Sequence, residues 1–217
     1  MQRKDLKINK VPTFISVVNQ KGGVGKTTTV LNLATTVAAS GKKVLILDLD
    51  AQGNASTGLG ILSDERKLST YDFLMSNENI NNIIKNTSIE NLYIIPASQD
   101  LSSIDMDLAE MEKRATRLKN IFKKNNITEI NFDYIFMDCP PALNMLTVNS
   151  LALANFIIIP LQTEFFALEG LSQLMITIKQ IRKTLNQELK ILGILLTCLL
   201  YTSPSPRDRT RSRMPSS

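Results

Sequence analysis

Short runs of apolar residues alternate along the chain with longer stretches in which apolar residues recur at helical spacing. The short runs are rich in β-branched residues and lack the polar alternation of a strand that has one face in water. This pattern predicts strands buried on both faces of a mainly parallel sheet, with helices covering each side. The predicted strands lie at residues 14–19, 43–50, 91–97, 132–138, 156–161 and 189–196.

Apolar residues at helical spacing predict two longer helices. The first comes after the first strand and runs from about Lys26 to Ser40. The second covers about residues 100–125, and we interpret its apolar stripe as core packing rather than as a cofactor site. That stripe consists of Leu101, Ile104, Leu108, Met111, Leu118 and Ile121. The asparagine-rich residues 77–91 predict a polar helix and a turn.

The composition is that of a globular protein and excludes several kinds of chemistry. The chain has 217 residues, of which 43% are hydrophobic and 21% are charged. It contains no histidine, so a histidine base or a histidine-ligated metal is excluded. Cys139 and Cys198 lack the paired spacing of a zinc site or a disulfide framework and are typical of a reducing compartment. Because the N-terminus has no apolar core of signal-peptide length and the longest apolar runs are too short to span a bilayer, we expect a cytoplasmic protein.

Much of the positive charge lies at one end of the chain. The net charge is +5, and +3 of it comes from the last twenty residues, which hold four arginines and one aspartate. The charge of the whole chain is therefore weak evidence for nucleic-acid binding. The same residues are rich in serine and proline and have no apolar period after Tyr201. Two interpretations stay open, a basic arm for nucleic acid and a disordered or non-native end.

The stretch NQKGGVGKTT, residues 19–28, predicts a phosphate-binding loop because it joins a predicted strand to a predicted helix. Its three glycines permit close backbone approach, and the amides around them can form an anion-binding nest at the helix start. Lys26 would neutralise the β- and γ-phosphates, and the Thr27 hydroxyl would bind Mg²⁺. Gln20 replaces the first glycine of the usual G-x-x-x-x-G-K-S/T pattern. The predicted nucleotide-binding residues are Lys21, Gly22, Gly23, Val24, Gly25, Lys26, Thr27 and Thr28.

Carboxylates follow two of the predicted strands. Asp48 and Asp50 occupy alternate positions at the end of the second strand, so we expect both side chains on one side. Paired carboxylates beside a triphosphate can position Mg²⁺ and a water molecule, and on physical grounds alone the two roles are interchangeable. A turn or capping role for one of them is the alternative. Asp138 ends a further strand at the carboxyl edge, where open α/β sheets bind ligands, and Cys139 after it is interpreted as a small buried residue.

These motifs carry a resemblance to a known family. The segments KGGVGKTT, VLILDLDAQGNASTGLG, YIFMDCPPAL and IIPLQTEFFALEGLSQL follow one another in this order. The first resembles the deviant Walker A motif, and together they resemble the ParA/Soj-type partition ATPases, whose wider family includes MinD and the nitrogenase iron protein. The resemblance extends from about Phe14 to Thr197. It implies an α/β P-loop NTPase fold with a mainly parallel sheet and helices on both faces.

The resemblance also implies roles for individual residues. Asp50 matches the aspartate that orients the attacking water, Asp48 supports the metal shell, and Asp138 resembles the Walker B carboxylate that holds Mg²⁺. In an ATP-dependent homodimer, Lys21 is expected to cross to the phosphates bound by the other subunit. Because no strong general base is present, we expect slow hydrolysis. The expected catalytic residues are Lys21, Lys26 and Asp50, and the expected metal-binding residues are Thr27, Asp48 and Asp138.

The function implied by the resemblance is plasmid or chromosome partitioning by an ATPase that uses ATP and Mg²⁺. The implied partners are a ParB-like protein and non-specific DNA, with no membrane, and the implied location is the cytoplasm, at the nucleoid where DNA binding is retained. One alternative is a MinD-like positioning ATPase, which would need a basic amphipathic helix at the C-terminus. The other alternative is a nucleotide-binding fragment without turnover.

The resemblance ends near Cys198. Family members continue with a further helix–strand–helix segment that generally carries adenine contacts, part of the dimer surface and basic residues for DNA binding. We therefore expect an incomplete ATPase domain at 13–197, after an N-terminal extension at 1–12 and before a disordered or non-native basic tail at 198–217. We also expect the strand at 189–196 to leave apolar surface exposed.

Overall fold

The computed structural model describes residues 11–76, 78–125, 131–163 and 167–198. Apart from residues 11 and 12, the predicted extension at 1–12 lies outside these residues, and so does the predicted tail at 198–217 apart from Cys198. The described strands are β1 Thr13–Val17, β2 Val44–Asp48, β3 Lys85–Asn86, β4 Leu92–Ile95, β5 Tyr134–Asp138, β6 Phe156–Gln162 and β7 Lys190–Thr197. The described helices are α1 Lys26–Ala39, α2 Asn54–Gly58, α3 Thr70–Met75, α4 Ile80–Ile83, α5 Ile104–Asp107, α6 Arg117–Lys124, α7 Met145–Leu153 and α8 Ala167–Thr184.

The strands form a single seven-stranded sheet in the order β3-β4-β2-β5-β1-β6-β7. Six of these strands are parallel, and the two-residue β3 pairs antiparallel with β4 at the edge. In the sheet, β2 and β5 lie on one side of β1, and β6 lies on the other side. The carboxyl end of β1 is therefore a topological switch point, where α/β sheets bind ligands. The predicted α/β fold with a mainly parallel sheet is confirmed.

Side chains of the strands alternate between two cores, one on each face of the sheet. On one face, Ile46 shares a core with Val30 and Ala34 of α1. On the other face, Leu45 and Leu47 belong to a larger core. The second core receives Phe73 from α3, Phe122 from α6, Leu151 from α7 and Leu174 from α8. Helices thus cover both faces, which explains why these strands are apolar throughout.

The single helix predicted over residues 100–125 is wrong. The chain forms a 3₁₀ turn at Gln99–Ser103, then α5, a second 3₁₀ turn at Arg114–Thr116, and α6. Lys113 has a φ of 57°, a left-handed conformation that interrupts a helix. The core packing of the apolar stripe is confirmed, because its residues still reach one core. Leu101, Ile104, Leu108, Leu118 and Ile121 are buried in that core, and Met111 packs against it.

β7 forms the other edge of the sheet and exposes apolar surface, as predicted. Its leucine and isoleucine side chains at 192, 194, 195 and 196 are 58%, 48%, 43% and 50% exposed. A bulge shifts the register within β7, so that Ile157 aligns with Ile191 and Ile158 with Gly193. A groove of about 730 Å³ runs between α8 and β7. The end of the described chain is therefore an apolar edge strand without a charged residue after Lys190.

Candidate functional site

The predicted site residues meet at the carboxyl ends of neighbouring strands. Asp138 is aligned with Asp48 on one side and with Val17 on the other, so the two carboxylates lie in adjacent strands. The loop that leaves β1 after Val17 begins at the same edge. This arrangement follows from the parallel pairing, because parallel strands present their carboxyl ends together.

The loop after β1 wraps around the start of α1. Gly23 and Gly25 have φ values of 75° and 87°, in the left-handed region that favours glycine. Gly25 is the N-cap of α1 and provides no side chain to bond the first amides of the helix. Val24 is 1% exposed and anchors the loop, whereas Lys21 lies exposed. The uncapped helix start therefore keeps N–H groups available for an anion.

Lys26 is 7% exposed, and its ammonium group donates a 3.0 Å hydrogen bond to the backbone carbonyl of Lys21. The lysine side chain thus bridges the loop to which it belongs. Burial lowers the pKa of Lys26, and the negative charge of Asp138 opposes that shift. A buried ammonium group that bonds to a neutral carbonyl would gain more from a phosphate oxygen.

Asp138 is 1% exposed, and neither of its carboxylate oxygens has a well-formed hydrogen bond to a described residue. Burial raises the pKa of Asp138 to about 7, and the charge of Asp48 adds to this shift, whereas the neighbouring Thr27 hydroxyl and Lys26 lower it. Two orphaned carboxylate oxygens beside a threonine hydroxyl fit Mg²⁺, which prefers oxygen ligands. No cluster of three or more His, Cys, Asp or Glu side chains that could hold a metal is found among the described residues.

Asp48 is fully buried, and its carboxylate is engaged in hydrogen bonds. Its Oδ2 accepts the Ser56 amide at 2.9 Å and the Ser56 hydroxyl at 2.6 Å, and its Oδ1 accepts the Asp50 amide at 3.2 Å. Burial raises the pKa of Asp48 to about 6, although the bonds from Ser56 lower it. Asp48 thus holds the turn between β2 and α2, which is the role that the sequence leaves open for one aspartate of this pair.

Asp50 lies beyond β2, which ends at Asp48, whereas the sequence predicts a strand through residue 50. The Asp50 Oδ1 accepts the Gln52 amide at 3.0 Å, and its carbonyl accepts the Gly53 amide at 2.8 Å, so the backbone turns. The negative charge of Asp50 still raises the pKa of Asp138. The structure therefore brings all three predicted carboxylates to the edge that also carries the glycine-rich loop.

Several known proteins are similar to this chain over most of its length. A family model described as an AAA domain matches residues 12–191. The sporulation initiation inhibitor protein Soj of Bacillus subtilis is 45% identical over 186 residues, which are 86% of this chain and 72% of that protein. The chromosome-partitioning ATPase Soj of Treponema pallidum is 47% identical over 180 residues, 83% of this chain and 69% of that protein. The chain belongs to the ParA/Soj family of partition ATPases.

The ParA/Soj assignment agrees with the comparison of structures. Cobyrinic acid a,c-diamide synthase from Mycobacterium smegmatis, in a crystal structure with bound ADP and magnesium, has a TM-score of 0.80 and 34% identity. The match covers 86% of this chain and 74% of that chain. The relatives named above confirm the predicted family, and the crystal structure shows that a protein of the same fold binds a nucleotide with magnesium. In the described part of this chain, no helix has both the length and the apolar character needed to cross a bilayer.

Two residues without a predicted role hold the ParA/Soj loop in place. The Asn19 side chain donates to the Pro160 carbonyl at 2.6 Å and accepts the Lys21 amide at 3.0 Å. The Thr197 hydroxyl donates to the Val24 carbonyl at 2.9 Å. Asn19 belongs to the quoted loop sequence and Thr197 ends the region of resemblance. Spacing in the sequence does not reveal either contact, because the bonded partners on β6 and β7 are 141 and 173 positions away.

Proposed function

We propose that the chain is a ParA-like ATPase that binds ATP with Mg²⁺, hydrolyses it slowly and acts in plasmid or chromosome partitioning. The observation that carries this proposal is the meeting of the glycine-rich loop, the Lys26 ammonium group and the buried Asp138 carboxylate at one sheet edge. The names of the partitioning relatives support the biological role. ADP and magnesium in the related crystal structure support the choice of ligands.

Phosphate binding is assigned to residues 21–28. The uncapped start of α1 supplies N–H groups and the positive end of the helix dipole. When the nucleotide binds, the Lys26 ammonium group gives up its hydrogen bond to the Lys21 carbonyl and contacts the β- and γ-phosphates instead. Because burial lowers the pKa of Lys26, a phosphate anion also restores the preference of this group for its charged form.

The carboxylates at the carboxyl edge of the sheet are assigned to binding Mg²⁺ and to positioning the attacking water. Mg²⁺, when bound, would neutralise charge that develops on the phosphates. Thr27 and Asp138 would hold this cation, and Asp48 would support it from the adjacent strand. Asp50 would position the attacking water. Hydrolysis then relies on positioning and charge neutralisation, so we expect slow turnover that suits a timed switch.

In an ATP-dependent homodimer, Lys21 of one subunit is assigned to the nucleotide-binding site of the partner subunit. Its exposure on the outer side of the loop contrasts with the burial of Lys26. A cation supplied by a second copy would stabilise the transition state as an arginine finger does. Dimerisation would then require ATP, and hydrolysis of the ATP would let the two subunits separate. By family analogy, a ParB-like protein and non-specific DNA are the proposed partners, at the nucleoid in the cytoplasm.

Lysine substitutions test this assignment. We expect Lys26→Ala to abolish binding of a fluorescent ATP analogue, and Lys21→Ala to bind it while losing ATP-driven dimerisation and hydrolysis. Lys42→Ala, at an exposed lysine after α1, is the matched control. Light scattering after size-exclusion chromatography reports dimers, and phosphate release with and without duplex DNA reports turnover. If dimerisation and turnover both survive in Lys21→Ala, its role in the partner's site is wrong.

The same assays separate the alternative functions. A wild-type chain that binds nucleotide without DNA-stimulated turnover would be a non-catalytic nucleotide-binding fragment. Turnover that responds to anionic vesicles rather than to DNA would favour the MinD-like positioning ATPase. Partitioning is the preferred proposal because relatives that are 45% and 47% identical include a chromosome-partitioning ATPase.

A further inference from the structure

We infer that Thr197 is a positioning residue that fastens the phosphate-binding loop to the carboxyl end of β7. This inference rests on the proposed role of the loop in nucleotide binding. The Thr197 hydroxyl donates a 2.9 Å hydrogen bond to the Val24 carbonyl. Val24 is only 1% exposed, so this carbonyl belongs to a residue with little access to water as an alternative donor.

The Thr197 side chain also lies close to the point at which the loop becomes α1. A Cβ atom placed on Gly25 would lie 3.6 Å from the Thr197 methyl group, which is ordinary van der Waals distance. Gly25 is the left-handed N-cap of α1, and its carbonyl accepts the Thr29 amide at 2.9 Å and the Thr29 hydroxyl at 2.7 Å. Thr197 therefore holds the peptide units immediately before Lys26.

The opposite end of the loop is held by β6, through the Asn19 side chain and the Pro160 carbonyl at 2.6 Å. β6 and β7 are neighbours, and Gln162 is aligned with Thr197. The loop is thus fixed at both ends along one side of the sheet, whereas residues 21–23 between them are exposed. Fixed ends reduce the conformational entropy that the loop loses when it binds an anion.

The hydroxyl of Thr197 is the group that distinguishes it from the rest of β7, whose sequence is KILGILLT. Valine has the same shape and an equally good strand propensity, so the strand itself does not require the hydroxyl. The bond to Val24 gives the hydroxyl a specific partner. Loss of this bond would leave the carbonyl unsatisfied and widen the range of loop conformations.

Two substitutions at Thr197 test the inference. Thr197→Val removes the hydroxyl and keeps the shape, and Thr197→Ser keeps the hydroxyl. Thr184→Val is the matched control, because the Thr184 hydroxyl also donates to a backbone carbonyl at 2.9 Å, but in α8. In the nucleotide-free protein, we expect Thr197→Val to speed amide hydrogen exchange of the peptide over residues 20–29 by about tenfold. We expect the affinity for ADP with Mg²⁺ to fall by about tenfold as well.

The expected pattern is that Thr197→Ser and Thr184→Val behave as the wild type in both assays. If amide hydrogen exchange over residues 20–29 is unchanged in Thr197→Val, the inference is wrong. It is also wrong if hydrogen exchange becomes faster evenly over the whole chain. The exchange measurement needs no nucleotide. If the wild type binds no ADP, the proposed function fails, while the exchange data still decide the role of Thr197.

Discussion

Replacing Asp138 by asparagine should stabilise the nucleotide-free protein at alkaline pH. Burial raises the pKa of Asp138 from 3.8 to about 7, so the folded state holds this proton more tightly than the unfolded state does. The stabilisation that the protonated Asp138 provides is therefore complete below the pKa that this group has in the unfolded chain. It is lost as the pH rises through the folded-state pKa of about 7. At about 1.4 kcal/mol for each pH unit between these two pKa values, the difference corresponds to about 4 kcal/mol. Since asparagine carries no charge to desolvate, we expect a gain of about 2–4 kcal/mol at about pH 8.5.

Urea unfolding in EDTA without nucleotide measures this effect. The stability difference between Asp138→Asn and the wild type should grow by up to about 1.4 kcal/mol per pH unit between about pH 4 and 7, and then level off. Asp64→Asn, at an exposed aspartate, is the matched control for the removal of one carboxylate. ADP with Mg²⁺ should stabilise the wild type more than Asp138→Asn. The reasoning is refuted if Asp138→Asn is no more stable than the wild type at about pH 8.5, or if the difference is independent of pH.

Three further substitutions have defined outcomes. Ser56→Ala should lower the free energy of unfolding by about 2 kcal/mol in urea titrations, because it removes bonds of 2.6 and 3.0 Å that join β2 to the end of β4; an unchanged value would contradict the bonding. Gly53→Ala should cost about 1–2 kcal/mol more than Gly41→Ala, although both positions have positive φ, because a Cβ on Gly53 would push the Arg66 guanidinium group away from the backbone carbonyls to which it donates. Equal costs would show that Arg66 moves aside without a loss of stability. Leu192→Lys should slow aggregation, measured by light scattering, at an unchanged Tm, because this side chain is 58% exposed on an apolar edge strand; equally fast aggregation would exclude this edge as its cause.

Local patterns predict the parallel strands, the first helix and the loop between them. β-branched runs predict the six parallel strands, and glycine spacing predicts the loop, because both depend on neighbouring residues. Residues 100–125 show the limit of such patterns. Helical spacing predicts which of their side chains are buried, but the left-handed Lys113 and two 3₁₀ turns bring the same side chains to the core without a continuous helix. β3, at Lys85–Asn86, is not predicted, because two residues become a strand only where the edge of β4 is free to pair.

By itself, the sequence determines that a phosphate-binding loop follows β1 and that carboxylates follow β2 and β5, since residue type and spacing suffice for both. Only the tertiary structure decides how the carboxylates differ. Asp48 accepts hydrogen bonds from Ser56 and Asp50 because α2 returns to the end of β2, whereas neither oxygen of Asp138 in the adjacent strand has a well-formed hydrogen bond to a described residue. The contact between Thr197 and the loop also depends on the fold, because 173 positions separate the bonded residues and strand pairing alone brings them together.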